Sequence, residues 1–457
     1  MIATSHPLAA KIGLDSMSKG GNAIDAAITA AIMLVLCEPQ STSLFGDAFA
    51  ILKSKKAKGI IGLNGSGKAP MALTSDTLLS RNIKEIPLES VHSVTVPGAV
   101  SLFEEVADKF GNLGLKELCT QPIKYAEEGV VVSPRVSFDW ELNSKKLLGS
   151  SAKFYLDSGK PYKAGSLFKA PMQAEVLRQI AAHGSKGFYQ SDITTDLVSS
   201  LKEFGGVHSL ADFENVKVQY VDPTYAELKD GSTLIELPPN GQGLTAIMMK
   251  KLMQFCNIDR FSAGSFERVH LEAEIAKVAY AARNNFIGDP NFSEVKQNIF
   301  LDDAYLEQLS REVSVGKLLN DNLEDDFFSR NKDTVLICAA DSAGNAISLI
   351  FSTFHAFGSG LCSKKYGLLF HNRGAGFVLK KDHPNELMGG KRPLHTIIPA
   401  ILQEKNGSIM PFGVMGGQYQ ANGHARILSN IKDYGMGFQE ALNFPRSFYF
   451  DGVLNIE

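Results

Sequence analysis

Two hydroxyl residues, Thr334 and Ser352, stand at opposite ends of a segment whose pattern predicts a buried β-hairpin. Residues 334–340 and 346–353 are nearly unbroken apolar runs, and the five residues between them are of turn type. If Ala340 pairs with Ala346, antiparallel register places Thr334 opposite Ser352, and opposed side chains lie about 5 Å apart. One hydroxyl can then orient the other as a nucleophile. A polar pair that merely ends a sheet is the alternative that the hairpin alone leaves open.

A second chemical feature is the glycine pair Gly416-Gly417, which follows an apolar strand-like run. Without a Cβ to block close approach, their backbone N–H groups could face a developing oxyanion. A tight turn is the alternative interpretation. The ten histidines include no His-Glu-x-x-His motif, and Cys-x-x-Cys is absent too. We therefore expect neither a metal nor a cofactor.

A glycine-rich segment at residues 62–68 has the glycine and lysine spacing of a phosphate-binding P-loop. The match fails at the next two positions. Ala69 stands where the magnesium-binding hydroxyl is required, and Pro70 removes a backbone donor where a helix would begin. The segment is better interpreted as a turn after a strand, with nucleotide binding at Lys68 kept as a minor alternative.

Composition places the 457-residue chain among soluble globular proteins, with 44% hydrophobic and 21% charged residues. A net charge of −3 gives no reason to expect nucleic acid or an anionic membrane as a partner. The apolar run at residues 26–37 is too short to cross a bilayer. Five scattered cysteines and the lack of a visible signal peptide predict buried free thiols and a cytoplasmic protein.

Secondary-structure signals change character near Asp333, from helix-rich to strand-rich. The predicted helices lie at residues 6–18, 22–36, 98–110, 115–129, 266–282 and 421–434. The predicted strands lie at residues 48–52, 59–63, 232–237, 367–370, 396–402 and 409–415, in addition to the hairpin. No internal repeat or flexible linker is visible.

An ordered series of short motifs resembles the γ-glutamyltranspeptidase family of N-terminal nucleophile hydrolases over essentially the whole chain. The motifs lie at residues 5–9, 20–27, 38–40, 96–98, 238–243, 288–290, 341–346, 357–360, 391–393 and 416–417. The resemblance implies an α+β fold, a four-layer αββα sandwich, whose precursor cuts itself between Asp333 and Thr334. Residues 1–333 and 334–457 would then be the large and small subunits of a heterodimer that shares one αββα domain, and a higher oligomer is possible.

The resemblance also assigns roles to the residues noted above. Thr334 Oγ attacks the carbonyl of Asp333 and later the substrate. The freed α-amine, with an ordinary pKa of about 8, serves as general base. Ser352 matches the family's second hydroxyl residue, and Gly416 and Gly417 match its oxyanion-hole pair. No cofactor is implied.

Several substrate-binding positions depart from the transpeptidase pattern. The family arginine that grips the glutamyl α-carboxylate falls on Ser66, which cannot make a bidentate contact. The expected asparagine falls on Phe354, and the acid that holds the substrate's amino group falls on Gly376. Much of the clamp, meaning the family residues that bind the carboxylate and amino group of the substrate's amino-acid part, is therefore absent from the sequence.

In place of that clamp, the chain has Asn372-Arg373 and His395-Thr396, which resemble the acylase and oxamate-amidohydrolase branch of the family. We predict that these four residues, with Ser66, bind the substrate, and that Arg373 anchors its carboxylate. A structural ion pair is the alternative role for Arg373. Residues 378–390 are short for the lid of a transpeptidase, which favours hydrolysis over transfer.

These features predict a self-processing threonine amidohydrolase whose partner is a small amide bearing a carboxylate, γ-glutamyl or similar. An oxamate or acyl-amide hydrolase without γ-glutamyl activity is the nearest alternative. A catalytically silent homologue with a binding or structural role is a further one, because the pocket is altered. The sequence also starts at its first helix and stops at Glu457, where family members carry further strands, so we expect an incomplete sandwich edge.

Overall fold

Two antiparallel β-sheets face each other at the centre of the protein, and helices cover their outer sides. The computed structural model describes residues 1–319 and 334–457. The six-stranded sheet has the order β1-β9-β10-β2-β3-β6, and the four-stranded sheet has the order β12-β11-β8-β7. The strands are β1 Ile2–Thr4, β2 Asp47–Lys53, β3 Ile60–Gly65, β4 Val130–Val131, β5 Leu167–Phe168, β6 Gln219–Val221, β7 Thr224–Glu227, β8 Thr233–Glu236, β9 Val335–Ala340, β10 Ala346–Ser352, β11 Ala400–Gln403, β12 Ile409–Phe412, β13 Ser447–Phe450 and β14 Val453–Ile456.

Helices form the two outer layers. They are α1 Pro7–Ser18, α2 Ala23–Cys37, α3 Ser75–Leu79, α4 Ala99–Phe110, α5 Gly114–Leu118, α6 Thr120–Glu128, α7 Pro134–Asn143, α8 Ser151–Tyr155, α9 Pro171–His183, α10 Lys186–Tyr189, α11 Asp192–Glu203, α12 Leu210–Glu214, α13 Gly243–Phe255, α14 Phe266–Phe286, α15 Asn298–Leu301, α16 Asp303–Ser310, α17 Tyr419–Lys432 and α18 Phe438–Asn443. Short 3₁₀ turns include Arg373–Gly376.

Helix α2 shows how the sequence builds the outer layer behind the larger sheet. Its side chains are buried along its whole length, which is why its apolar run has no polar face. A capping box between Asn22 and Asp25 starts it after the Gly20-Gly21 connection. Helices α1, α2 and α4 share one apolar core with the larger sheet, whereas α13 and α17 cover the smaller sheet.

A third apolar cluster lies between the two sheets and joins Phe49, Ile51 and Ile350 to Ile235 and Ile401. The layers are thus helix, sheet, sheet, helix. The predicted α+β fold, a four-layer αββα sandwich, is confirmed.

The hairpin of β9 and β10 lies inside the larger sheet, between β1 and β2. Ala346 pairs with Ala340 and Phe351 pairs with Val335, so the predicted register is confirmed. Because β1 and β2 come from the N-terminal part of the chain, residues after Thr334 are hydrogen-bonded on both sides to residues that precede the predicted cut.

Three local expectations need correction. A strand, β1, precedes the first helix and pairs with β9, so the chain does not start at a helix as expected. Residues 367–370 form only an isolated bridge between Leu369 and Cys362 rather than a strand, and the first of them, Gly367, has a φ of +65°, outside the extended range. Residues 115–129 form the two helices α5 and α6 rather than one.

The P-loop alternative finds no support in the local structure. Lys68 is exposed, and the next helix, α3, begins only at Ser75. Phosphate-binding loops lead directly into a helix N-terminus, which is missing after Lys68. The five cysteines are free thiols, and no helix in residues 1–319 and 334–457 has the length and apolar character of a membrane span.

Candidate active site

Four polar residues line up at one end of the larger sheet. Ser352 pairs directly with Asp47 across β10 and β2. Extending the strand registers by one residue beyond the Val335–Phe351 and Ala48–Gly65 pairs places Thr334 opposite Ser352 and Ser66 opposite Asp47. Side chains opposite each other in antiparallel strands project from the same face of the sheet. We call Thr334, Ser352, Asp47 and Ser66 the polar row.

The polar row faces the space between the two sheets. In β2, side chains alternate between faces, and Phe49 and Ile51 belong to the cluster between the sheets. Asp47 has the same parity as these two residues, so it points the same way. All four members are buried, with exposed fractions of 4% or less, so their polar atoms depend on protein partners.

Ser352 carries a hydroxyl whose acceptor capacity is already used. Its Oγ accepts a hydrogen bond from Arg373 Nη2 at 2.9 Å and another from the Phe354 backbone N–H at 3.2 Å. A serine hydroxyl has two acceptor lone pairs and one O–H donor. Only the donor is left, and Thr334 is the neighbour in the polar row toward which it can point.

Arg373 is fully buried and lies over the Phe354 ring, with its Cζ 4.1 Å from the ring centroid. Nη2 donates to Ser352, and Nη1 donates to Thr396 Oγ1 at 3.2 Å. Nε has no partner in the described part of the chain. A guanidinium has five N–H donors, so three of them are uncommitted among the described residues.

The backbone around Arg373 is fixed by close contact with the opposite wall of the site. A Cβ added at Gly374 would lie 2.9 Å from the carbonyl oxygen of Ser93, so the 3₁₀ turn needs glycine there. Burial lowers the pKa of Arg373 to about 9, and the nearby Asp47 carboxylate opposes that shift. The guanidinium is therefore positively charged at neutral pH.

Asp47 connects the polar row to two loops and two histidines. Its Oδ1 accepts the backbone N–H groups of Gly67 at 3.0 Å and Gly98 at 3.1 Å. Its Oδ2 lies 3.2 Å from His395 Nε2 and 3.7 Å from His371 Nδ1. These contacts commit both carboxylate oxygens to the protein.

The charge states of this cluster follow from burial and from mutual contacts. Burial alone raises the pKa of Asp47, but His371, the hydrogen bond with His395 and the charge of Arg373 together hold it below its ordinary value. Burial and the repulsion of Arg373 lower the pKa of His395 to about 3. Asp47 is thus an anion and His395 is neutral at physiological pH.

The glycine pair lies immediately before α17 and has unusual backbone conformations. Gly416 has φ +130° and Gly417 has φ +58°, values that residues with a Cβ rarely adopt. Among the described residues, neither N–H donates to an acceptor. Gln242 holds this loop in place: its Nε2 donates to the carbonyl oxygens of Thr396 at 2.7 Å and Gly417 at 3.1 Å.

One side chain from the first turn of α17 reaches the predicted nucleophile. Gln420 Nε2 donates to Thr334 Oγ1 at 3.4 Å, while Gln420 Oε1 accepts the Ile398 N–H at 3.0 Å. This contact brings the helix that follows the glycine pair to the open end of the β9–β10 hairpin.

The remaining predicted binding residues are engaged with the protein itself. Ser66 Oγ donates to Asn64 Oδ1 at 2.7 Å and lies 3.5 Å from Asn240 Oδ1. Asn372 Oδ1 accepts the His355 N–H at 3.1 Å. The other end of Asn372, Nδ2, donates to a backbone carbonyl at 3.3 Å. These contacts shape the walls of the site, and Asp333, the other predicted residue of the cut, lies outside the described residues.

Sequence reasoning missed Asp47 and Gln420. Asp47 is the lone charge in the apolar run of residues 44–52, and such an isolated charge is a usable signal for a buried site. Gln420 carried no comparable signal, because its role depends on where α17 begins. In residues 1–319 and 334–457, no group of three or more acidic, histidine or cysteine side chains is placed to hold a metal ion.

Comparison with known proteins identifies the family. The family profile described as gamma-glutamyltranspeptidase matches residues 9–455. The chain is 30% identical over 449 residues to the glutathione hydrolase-like YwrD proenzyme of Bacillus subtilis, covering 98% of this chain and 84% of that protein. It is 28% identical over 457 residues to the oxamate amidohydrolase proenzyme of Klebsiella pneumoniae, covering 98% and 84%.

The fold agrees with that assignment. The crystal structure of cephalosporin acylase from Bacillus halodurans superposes with a TM-score of 0.89 at 32% identity, covering 100% of this chain and 84% of that one. The resemblance inferred from the short motifs is therefore confirmed over nearly the whole chain. The chain belongs to the γ-glutamyltranspeptidase family of N-terminal nucleophile hydrolases and is an amidohydrolase-type enzyme.

Proposed function

We propose that the protein is a self-processing threonine amidohydrolase that hydrolyses a small acyl amide bearing a carboxylate, through an acyl-enzyme on Thr334. The single observation that carries the substrate class is Arg373. Its guanidinium is fully buried beside the polar row and keeps three N–H groups uncommitted among the described residues. A buried cation with unused donors in a fork suits a planar carboxylate.

Self-processing would begin with the hydroxyl of Thr334. Its Oγ1 attacks the carbonyl carbon of Asp333, the C–N bond breaks, and the acyl group is left on oxygen as an ester. Water then hydrolyses the ester and leaves Thr334 with a free α-amine. Ser352 supports the attack because its O–H is the only valence not engaged by Arg373 and Phe354.

The two products, residues 1–333 and 334–457, would stay together as a heterodimer of large and small subunits. Strand β9 pairs with β1, and β10 pairs with β2, so the small subunit is inserted into the sheet of the large one. Strand β11 likewise pairs with β8 of the large subunit in the second sheet. Cutting the chain before Thr334 removes none of these ladders.

In the processed enzyme, the α-amine of Thr334 accepts the hydroxyl proton as Oγ1 attacks the substrate amide. Its ordinary pKa of about 8 leaves a useful neutral fraction near neutral pH. The N–H groups of Gly416 and Gly417 are available to the oxyanion, since they have no acceptor among the described residues. The protonated amine then gives its proton to the leaving amine, and water releases the acyl group.

An acyl amide without an α-amino group fits this site better than a γ-glutamyl group. An α-ammonium group needs a carboxylate partner, and the carboxylate in the polar row is that of Asp47. Its oxygens already contact two backbone N–H groups and His395. An ammonium group would have to compete with these contacts. One similar protein is named an oxamate amidohydrolase and another a cephalosporin acylase, and neither name refers to a γ-glutamyl substrate.

Hydrolysis is proposed over transfer to an amine acceptor. Residues 378–390 fold back onto the body of the protein: Leu387 accepts the Ser75 N–H, and Glu386 accepts the Ser75 hydroxyl. Gly389 approaches the backbone of Met71 so closely that an added Cβ would lie 2.1 Å from its carbonyl oxygen. A short segment that is fixed to the body of the protein in this way is poorly suited to close over the active site and exclude water.

A panel of amides tests the proposal. Purified, processed protein is assayed with glutaryl-p-nitroanilide, oxamate, glutathione and the uncharged butyryl-p-nitroanilide, with Thr334→Ala as the blank. We expect turnover of a carboxylate-bearing acyl amide, slower turnover of glutathione, and none by the blank. Faster turnover of the uncharged amide than of every charged one, or equal turnover by Thr334→Ala, would overturn the proposal.

A further inference from the structure

Gln420 donates a hydrogen bond to the hydroxyl of the predicted nucleophile, Thr334, and the motif resemblance gives it no role. Its Nε2 lies 3.4 Å from Thr334 Oγ1, and the residue is fully buried. The orientation of its amide is fixed, because Oε1 receives the backbone N–H of Ile398 at 3.0 Å. A backbone N–H can only donate, so the opposite end, which faces Thr334, must be the NH₂ group.

The backbone that carries Gln420 is also tied to the oxyanion loop. Its N–H donates to the carbonyl oxygen of Gly417 at 3.2 Å. One turn further along α17, His424 Nδ1 lies 2.7 Å from Glu236 Oε1, which fastens the same face of the helix to β8. A donor held at both ends loses little conformational entropy when it acts, as preorganised catalytic groups require.

We propose that Gln420 is a catalytic hydrogen-bond donor that stabilises negative charge on Thr334 Oγ1. This inference rests on the proposed function of Thr334. When water adds to the acyl ester and the C–Oγ1 bond breaks, the electron pair stays on Oγ1, and the α-ammonium then returns a proton to it. An amide N–H aimed at Oγ1 stabilises that leaving group. The same contact holds Oγ1 in place before attack.

Gln420 should support both the formation and the release of the acyl-enzyme. During attack, Oγ1 gains partial negative charge as its proton passes to the α-amine and its bond to carbon forms. During release the same changes run in reverse, so the same charge develops on Oγ1. Removing the donor should therefore slow both steps, and restoring a donor at this position should restore both.

The test compares Gln420→Met and Gln420→Glu with the wild-type chain. Methionine keeps the length and volume but has no donor, and an ionised glutamate only accepts. Self-cleavage is followed on denaturing gels after cell-free synthesis, and turnover is followed with glutaryl-p-nitroanilide. Gln173→Met is the matched control, because Gln173 is a buried glutamine that donates to Tyr155, away from the polar row.

We expect Gln420→Met to slow both self-cleavage and steady-state turnover by about 100-fold, the lower end of the loss seen when one transition-state donor is removed. Relative to the wild type at the same pH, Gln420→Glu should recover as the pH falls, because its carboxyl group becomes protonated and able to donate. Gln173→Met should show neither the slowing nor the pH response.

The outcomes separate this inference from the proposed function. If wild-type protein neither cuts itself nor forms an acyl-enzyme, the proposed function fails. If the wild type is active and Gln420→Met matches it in rates of self-cleavage and turnover, only the role of Gln420 is wrong. Equal slowing of Gln420→Met and Gln173→Met, in proportion to their loss of thermal stability, would also overturn it.

Discussion

Replacing Arg373 should change which substrates the enzyme prefers, and the structure gives a magnitude for that change. The guanidinium uses one N–H on Ser352 and one on Thr396, which leaves three for a ligand among the described residues. A substrate carboxylate can take two of them as a bidentate pair. Arg373→Met removes the guanidinium fork, whereas Arg373→Lys keeps only the charge.

Each hydrogen bond to a charged group contributes at least about 1.5 kcal/mol, so the bidentate pair contributes about 3 kcal/mol. At 1.36 kcal/mol per tenfold change, this equals about 150-fold in kcat/KM. Arg373→Met should lose about that factor with glutaryl-p-nitroanilide. Arg373→Lys should lose about 10-fold, because a single ammonium contact replaces the pair.

Loss of Arg373 also removes the contact with Ser352, which slows the reaction of every substrate. The assay therefore measures the ratio of kcat/KM for glutaryl-p-nitroanilide to that for butyryl-p-nitroanilide, with rates normalised to the cleaved fraction of the chain. Damage to the nucleophile lowers both values and leaves the ratio unchanged. Loss of carboxylate binding lowers the ratio itself.

Arg268→Met is the matched control, because Arg268 is equally buried but pairs with Glu272 on α14 and donates to Asn430. Its loss should reduce stability and leave the substrate ratio unchanged. If Arg373→Met leaves the ratio as in the wild type, Arg373 is a structural residue and the proposed substrate class is wrong.

Three further outcomes follow from the described contacts. Ser352→Ala should slow self-cleavage by about 100-fold. Thr353→Val is the control and should not slow it, because it removes an adjacent buried hydroxyl that contacts backbone carbonyl groups. Equal rates of self-cleavage for the two variants on a gel time course would contradict this prediction. Activity of the processed enzyme should rise with pH through about 8 as the α-amine of Thr334 loses its proton. The pH–activity curve should show no inflection from a histidine between pH 5 and 7. A curve with its midpoint near pH 6.5 would argue against the amine as general base. The free energy of unfolding should fall below pH 6.5, because burial lowers the pKa of His208 to about 4 and that of His395 to about 3, so the unfolded chain binds protons that the folded chain does not. The expected slope of this free energy is about 1.4 kcal/mol per pH unit for each histidine. Equal unfolding midpoints in urea at pH 5 and 7 would refute this prediction.

The parts of the site that sequence could predict are those within one hairpin. Strand alternation and a five-residue turn determine the pairing of Ala340 with Ala346, and counting back from it gives the Thr334–Ser352 pair. Thr334 and Ser352 lie within twenty residues of each other in the sequence. No long-range information is needed.

The rest of the polar row depends on contacts between distant parts of the chain. Asp47 meets Ser352 only because β2 and β10 are neighbours, although about 300 residues separate them. Periodicity predicts that β2 is a strand but not which strand lies beside it. The placement of Arg373 across from Ser352 likewise depends on a loop packing against Phe354, which no local pattern encodes.

The motif resemblance supplied what local patterns could not. It assigned catalytic roles to Thr334 and the glycine pair and a substrate-binding role to Arg373, and these roles stay predictions, while the comparisons confirm the family behind them. It gave no role to Gln420 or Asp47. Both are defined by side-chain contacts across layers, which short motifs do not describe.

Self-cleavage is the most direct test of the central claim, that Thr334 is the nucleophile. Purified chain is incubated at neutral pH and separated on a denaturing gel, and the smaller fragment is sequenced from its N-terminus. The account predicts two fragments, with the smaller one beginning at Thr334, and an intact chain for Thr334→Ala. A wild-type chain that stays intact, or a fragment that begins at any other residue, would contradict it.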